Sequence, residues 1–159
     1  MERKTNILAE PGRHDLFITR EFELPVELLF RAHAEADIFE QWMSHEYGIV
    51  KMVKLEARKH GSWKFQTTDK EGNVLFAASG VFADFIPESR ITRTFEMENT
   101  PFPIQLEFLE FENLGEERSK LTMQIVYRTV EYRDKMLKSP FAHGLNMAHD
   151  RLQLILQKK

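Results

Sequence analysis

The charged pair with the best claim to chemistry in this sequence is Asp84 with Arg93. If Ile86 opposes Ile91 across the turn Pro87-Glu88-Ser89-Arg90, then Asp84 opposes Arg93 and Phe82 opposes Phe95. Both charges would then stand in an apolar row, where each needs the other as partner. Such a pair could orient a ligand carboxylate or hydroxyl. The structural reading, a cross-strand ion pair, carries more weight, and the same holds for Arg20 beside Leu16, Ile18 and Phe22. His45-Glu46-Tyr47 follows Trp42 and offers an acid/base candidate near a pocket mouth. A catalytic histidine needs a positioned partner, however, and the sequence supplies none. His143 and His149 lie six apart on one helical pattern, face different ways, and do not chelate one metal. His14, His33 and His60 are scattered. With no cysteine, thiolate nucleophiles, disulfides, thiolate zinc sites and iron–sulfur clusters are excluded. No His-Glu-x-x-His, phosphate-binding loop, nucleophile elbow or dinucleotide fingerprint occurs. No catalytic residue, metal ligand or cofactor is therefore assigned.

The elements that must position these groups follow from periodicity. Asp15 to Phe22 reads as a strand, and Pro25 opens a short helix carrying Val26, Leu29, Phe30 and Ala34. A second short helix spans about Glu35 to Met43 and presents Ile38, Phe39 and Trp42. Strands are then expected over Ile49–Ala57, Ser62–Thr68, Val74–Ile86, Ile91–Met97, Ile104–Glu110 and around Leu121–Tyr127. The inward rows are read as Trp63/Phe65, Phe76/Phe82, Ile91/Phe95, Ile104/Leu106/Phe108 and Leu121/Met123/Ile125. Gly80 interrupts its strand, which implies a bulge, a bend or close approach of another group. Pro101-Phe102-Pro103 marks an irregular edge and a candidate dimer contact or lid. Glu131 to Lys138 forms a weaker helical segment. Ser139-Pro140 then starts a long helix whose apolar face is Phe141, Leu145, Ala148, Leu152 and Ile155. Gly144 inside it implies either close approach of sheet or ligand, or a kink.

Composition bounds the partners. The chain has 159 residues and a formal net charge of -3, ordinary for one soluble domain and unlike a nucleic-acid binder. No apolar run reaches a membrane span and the start lacks a signal core, so a cytoplasmic location is the default. Thirteen Phe stand against three Tyr and two Trp, which is much apolar area with little polar handle. That surplus is either a packed core or a pocket.

The order of these motifs resembles the START-like (SRPBCC, Bet v-type helix-grip) superfamily, and within it the branch named for the activator of the heat-shock-protein-ninety ATPase. The resemblance runs from about Leu16 to Leu156. It rests on Ile18-Thr19-Arg20-Glu21-Phe22-Glu23-Leu24-Pro25, on Trp42, and on His60-Gly61-Ser62-Trp63-Lys64-Phe65. It continues through Gly80-Val81-Phe82-Ala83-Asp84-Phe85-Ile86-Pro87 to Gly144-Leu145-Asn146 and Asp150-Arg151-Leu152. The sequence departs from the pattern at His60, Met43 and Leu145, where the family more often has glycine, tryptophan and an aromatic. The resemblance implies an α+β helix-grip domain over residues 1–159, with its core over about 14–157. A curved antiparallel sheet of about seven strands would wrap the C-terminal helix. The expected function is non-catalytic binding of a small hydrophobic ligand between that helix and the sheet. Trp42, Trp63, Phe65, Phe82, Phe95, Met123, Phe141 and Leu145 would make the apolar contacts, with Arg93 and Tyr127 for polar orientation. The alternatives are a chaperone-accessory protein and a cyclase- or dehydratase-type enzyme on an apolar substrate.

Overall fold

Eight antiparallel strands form one sheet in the order β1-β2-β8-β7-β6-β5-β4-β3. The structure is a computed structural model and describes residues 4–157. Its elements are β1 (Asn6–Leu8), β2 (Asp15–Phe22), α1 (Val26–Ala34), α2 (Ala36–Met43), β3 (Ile49–Leu55), β4 (Ser62–Thr68), β5 (Val74–Ile86), β6 (Arg90–Met97), β7 (Gln105–Gly115), β8 (Arg118–Val126), α3 (Val130–Lys138) and α4 (Phe141–Leu156). Helices α1 and α2 carry the chain from β2, near one edge, to β3 at the other. A meander of hairpins then returns to β8, which pairs along the whole of β2. This is the α+β architecture expected, with eight strands instead of about seven. The extra strand, β1, is three residues long with exposed ends, so it leaves no alternation to read.

One face of the sheet is buried by α1, α2 and α4. Leu16, Ile18, Phe22, Leu29, Ile91, Leu109, Leu121 and Leu152 are each at most 1% exposed. Arg20 stands in the buried row of β2 and is compensated there. Its guanidinium donates to Asp150 Oδ1 at 2.8 Å, to Asn146 Oδ1 at 3.2 Å and to Thr5 Oγ1 at 3.3 Å, which ties α4 to the first strands. Its role is structural. Arg133 of α3, 2% exposed, likewise donates to the Asp15 carbonyl at 3.0 Å and holds α3 against β2.

Three expectations fail on register. The turn pairs Ile86 with Arg90 instead of Ile91, so Asp84 faces Thr92, and a bulge at Ala83 then sets Phe82 opposite Arg93. The Asp84–Arg93 pair therefore does not form. Asp84 accepts instead from Arg90 Nε at 2.7 Å near the surface, and that hydrogen bond holds its carboxyl below the usual carboxylate range. In β7 the buried row is Gln105, Glu107, Leu109 and Phe111, not Ile104, Leu106 and Phe108, and Ile104 is 55% exposed before the strand begins. Apolar count favoured the wrong phase because the true one contains two polar residues, Gln105 and Glu107, that are buried and hydrogen-bonded to each other. Strand β3 ends at Leu55, short of Ala57.

The glycine questions also resolve. A Cβ at Gly80 would collide with the Thr94 carbonyl of the adjacent strand, so close approach explains it. A Cβ at Gly144 would meet nothing within 4 Å, so close approach of the sheet does not account for it, and α4 is continuous through it. Pro101-Phe102-Pro103 links two interior strands instead of marking an edge, and Phe102 packs edge-to-face on Tyr132 of α3 at 5.7 Å.

Candidate ligand cavity

Helix α4 does not cover the sheet evenly. Its C-terminal half docks through Ala148, His149, Leu152 and Leu156, all at most 5% exposed. Its N-terminal half, from Phe141 to Leu145, stands away from the sheet. The space beneath is a cavity of about 380 Å3, within the size range of small-molecule sites, roughly 300–1,000 Å3. Its wall carries Phe and Met side chains from seven elements, among them Phe65 on β4, Phe95 on β6, Met123 on β8 and Met136 on α3. Methionine has a flexible thioether that adapts to irregular guests.

Of the residues singled out from sequence, Trp42, Phe65, Arg93, Phe95, Met123, Tyr127, Phe141 and Leu145 line this space. Trp63 and Phe82 do not. Trp63 lies behind the wall, stacked on Phe65 at 5.9 Å and covered by the Arg93 guanidinium at 5.3 Å. Phe82 packs edge-to-face on Phe85, and the ring cluster continues from Phe85 to Phe30 and Phe111. The bulge at Ala83 sets Phe82 opposite Arg93 instead of Phe95.

The polar groups on the wall are few and converge. Arg93 Nε donates to Glu107 Oε1 at 2.8 Å, directly across the β6–β7 ladder. Gln105 Nε2 donates to the other oxygen, Oε2, at 2.8 Å. Gln105 Oε1 is buried without a partner among the described residues. Tyr127 is 5% exposed and its hydroxyl makes no hydrogen bond among the described residues. Burial, with the Glu107 charge adding to it, raises the phenol pKa, so the hydroxyl keeps its proton.

Two histidines complete the wall, and both were passed over in sequence. His33 Nδ1 lies 2.9 Å from the Leu29 carbonyl, and burial lowers its pKa to about 4. His149 Nδ1 lies 2.7 Å from Thr5 Oγ1, and burial, with His33 and Arg20 nearby, lowers it to about 3. Both are neutral near pH 7. Their position was legible: His33 follows Leu29 by four and His149 follows Leu145 by four, each on its helix's apolar face. Trp42 lies between them, 5.2 Å and 6.2 Å from their ring centroids, and its indole N–H donates to the Ala32 carbonyl at 2.8 Å. Arg151 of α4 donates to the Trp42 carbonyl at 3.0 Å, fixing α2 to α4 at the rim. His45 also lines the rim. It is exposed, and its Nδ1 accepts only from the Tyr47 backbone N–H at 3.2 Å. Among the described residues no cluster of His, Asp and Glu is set to hold a metal, and no helix is long and apolar enough to cross a membrane.

Comparison with known proteins agrees with this geometry. The family model described as Activator of Hsp90 ATPase homolog 1-like protein matches residues 23–157. Solved structures share the fold at low identity. A crystal structure of a Rhodobacter sphaeroides protein has a TM-score of 0.88 at 21% identity, over 98% of this chain and 99% of that one. A Mycobacterium smegmatis protein gives 0.84 at 18% identity, over 96% of each chain. An Arthrobacter aurescens protein solved by NMR gives 0.83 at 14% identity, over 97% of this chain and 92% of that one. No curated protein sequence matches significantly.

Proposed function

The chain belongs to the activator of Hsp90 ATPase homolog 1-like protein family, and from that premise we propose that it binds a small, largely apolar molecule beneath α4. The observation that carries this reading is the 380 Å3 cavity between the N-terminal half of α4 and the sheet. Protein interiors are close-packed, and a void of this size costs stability unless a guest fills it. The wall supplies apolar area for affinity, at roughly 25 cal/mol per Å2 buried. The cluster of Arg93, Glu107, Gln105 and Tyr127 supplies the few polar groups that fix orientation. Fold alone does not assign this role, since one architecture hosts many functions. The wall's own chemistry is what favours carriage. The neutral imidazoles and the internally paired carboxylate leave no nucleophile beside a base.

The neutral dye Nile red tests the reading. The wild-type protein is expected to bind it at one saturable site with enhanced fluorescence. Leu145→Trp, which drives an indole into the cavity, is expected to weaken binding by about tenfold or more, about 1.4 kcal/mol, while the circular dichroism spectrum is retained. Absence of saturable binding, or equal binding by the filled variant, contradicts it.

A further inference from the structure

Resting on the ligand-binding reading, we propose that the cavity selects by charge: it takes a neutral apolar molecule bearing a hydrogen-bond donor and turns away a carboxylate of the same shape. Three features of the wall lead there.

The first is Glu107. Its side chain is 4% exposed, and its carboxylate is part of the cavity wall. Both oxygens are occupied, one by Arg93 Nε and one by Gln105 Nε2, each at 2.8 Å. The Arg93 charge is thus neutralised within the wall before any ligand arrives. An incoming carboxylate would gain Arg93 only by sharing it with a fixed negative charge, where water screens little.

The second is Gln105. A carboxylate only accepts, so Glu107 fixes the amide with Nε2 toward it and Oε1 away. That carbonyl oxygen is buried and has no partner among the described residues. A buried acceptor left unmade is unfavourable, and a guest hydroxyl or N–H would relieve it. A carboxylate has no proton to give.

The third is the opposite wall. The His33 Nδ1 contact is to a carbonyl, so that nitrogen carries the proton and Nε2 is left as an acceptor. His149 is neutral as well, so neither imidazole offers an anion a cation. Arg151, the other cation on the wall, is engaged by the Trp42 carbonyl with Asp150 beside it. Beside Gln105 and Glu107 the donors left for a guest are the outer nitrogens of Arg93 and the Tyr127 hydroxyl, and both serve a neutral oxygen as well; the outer nitrogens of Arg151 lie at the rim with the Asp150 carboxylate near them.

A matched pair of probes reads this directly: a naphthol and the naphthoate of the same ring position, titrated calorimetrically near neutral pH, where only the naphthoate is ionised. The wild-type protein is expected to prefer the naphthol by about tenfold or more, the scale on which a site rejects a guest that leaves its polar groups unpaired. Glu107→Gln releases Arg93 and is expected to narrow or invert that preference. Gln105→Leu removes the orphan acceptor without touching the ion pair, and is expected to bring naphthol affinity down to that of naphthalene. Equal or tighter binding of naphthoate by the wild type overturns the proposal. So does an unchanged preference in whichever of the two variants folds, as judged by its melting transition. Nile red binding with neither naphthyl acid nor alcohol bound overturns the charge selection and leaves the apolar site standing. Failure of all three probes removes both.

Discussion

The two halves of α4 have the same kind of sequence and opposite surroundings. From Ala148 to Leu156 the helix packs on α2 and meets β2 through Phe22 on His149 and Arg20 on Asp150, with Leu152 fully buried. From Phe141 to Leu145 its apolar side chains are only half-buried and face a void. The difference lies in what anchors each half. Arg20 reaches Asp150 and Asn146, Arg151 reaches the Trp42 carbonyl, and Gln153 Oε1 accepts from the Glu23 backbone N–H at 2.9 Å. All of these lie from Asn146 onward. Among the described residues the N-terminal turn is held by its junction with α3, where Ser139 Oγ donates to the Met136 carbonyl at 2.6 Å and accepts from the Phe141 backbone N–H at 3.4 Å. The clamped half still meets the cavity through Ala148, His149 and Arg151, and the half before it is propped over the site with fewer anchors.

That contrast predicts a split between stability and binding. Leu152→Ala is expected to cost about 2–5 kcal/mol in chemical denaturation, as for other fully buried leucines. It should leave Nile red affinity nearly unchanged if the protein is kept below its transition. Leu145→Ala is expected to cost well under half as much and to weaken binding. Equal losses of stability at the two positions would dissolve the distinction.

The two buried histidines, His33 on α1 and His149 on the clamped half of α4, carry a pH signature. His149 and His33 are neutral when folded, with pKa values lowered to about 3 and about 4 by burial, against 6.5 in the unfolded chain. As pH falls below 6.5 the unfolded chain takes up protons that the folded protein refuses, so stability drops as pH falls from about 6.5 toward 4. For His33 alone the shift corresponds to about 3 kcal/mol. Asp15, whose carboxyl is lowered by hydrogen bonds from Arg13 and Gln124, adds a further loss below its ordinary range, near pH 3.8. Melting temperature measured across this range should fall steeply, and His149→Gln should flatten part of the slope. A level profile from pH 7 to 4.5 would contradict the buried, neutral assignment.

The smallest expected effect is at Gly144. With nothing within 4 Å of an added Cβ and a helical backbone, Gly144→Ala should stabilise by about 0.5–1 kcal/mol, the usual helix-propensity gain. A destabilisation would mean that the propped half needs a glycine for motion or for ligand contact.

How much of this was legible varies by kind of signal. The long helix was announced by Ser139-Pro140 and its four-and-three spacing, and the strands by alternation, because both patterns are local. The inward rows of β4, β6 and β8 followed, and Phe65, Arg93, Phe95 and Met123 on them line the cavity. What failed depended on register between strands. The hairpin pairs Ile86 with Arg90, one residue off the expected register, which moves Asp84 to Thr92, and a bulge at Ala83 then moves Phe82 to Arg93; nothing local announces either. Gln105 and Glu107 were missed because two polar residues in a row read as a solvent face. They are inside because Arg93 lies directly opposite Glu107, a non-local fact.

The most direct test of the account is to titrate isotope-labelled protein with a neutral apolar ligand and follow every backbone amide by NMR. Shifts concentrated on Phe141–Leu145, Phe95 and Met123, with Leu152 and Leu156 quiet, are the predicted result. Shifts spread over the outer face of the sheet, or none at saturating ligand, would contradict a binding site beneath the raised end of α4.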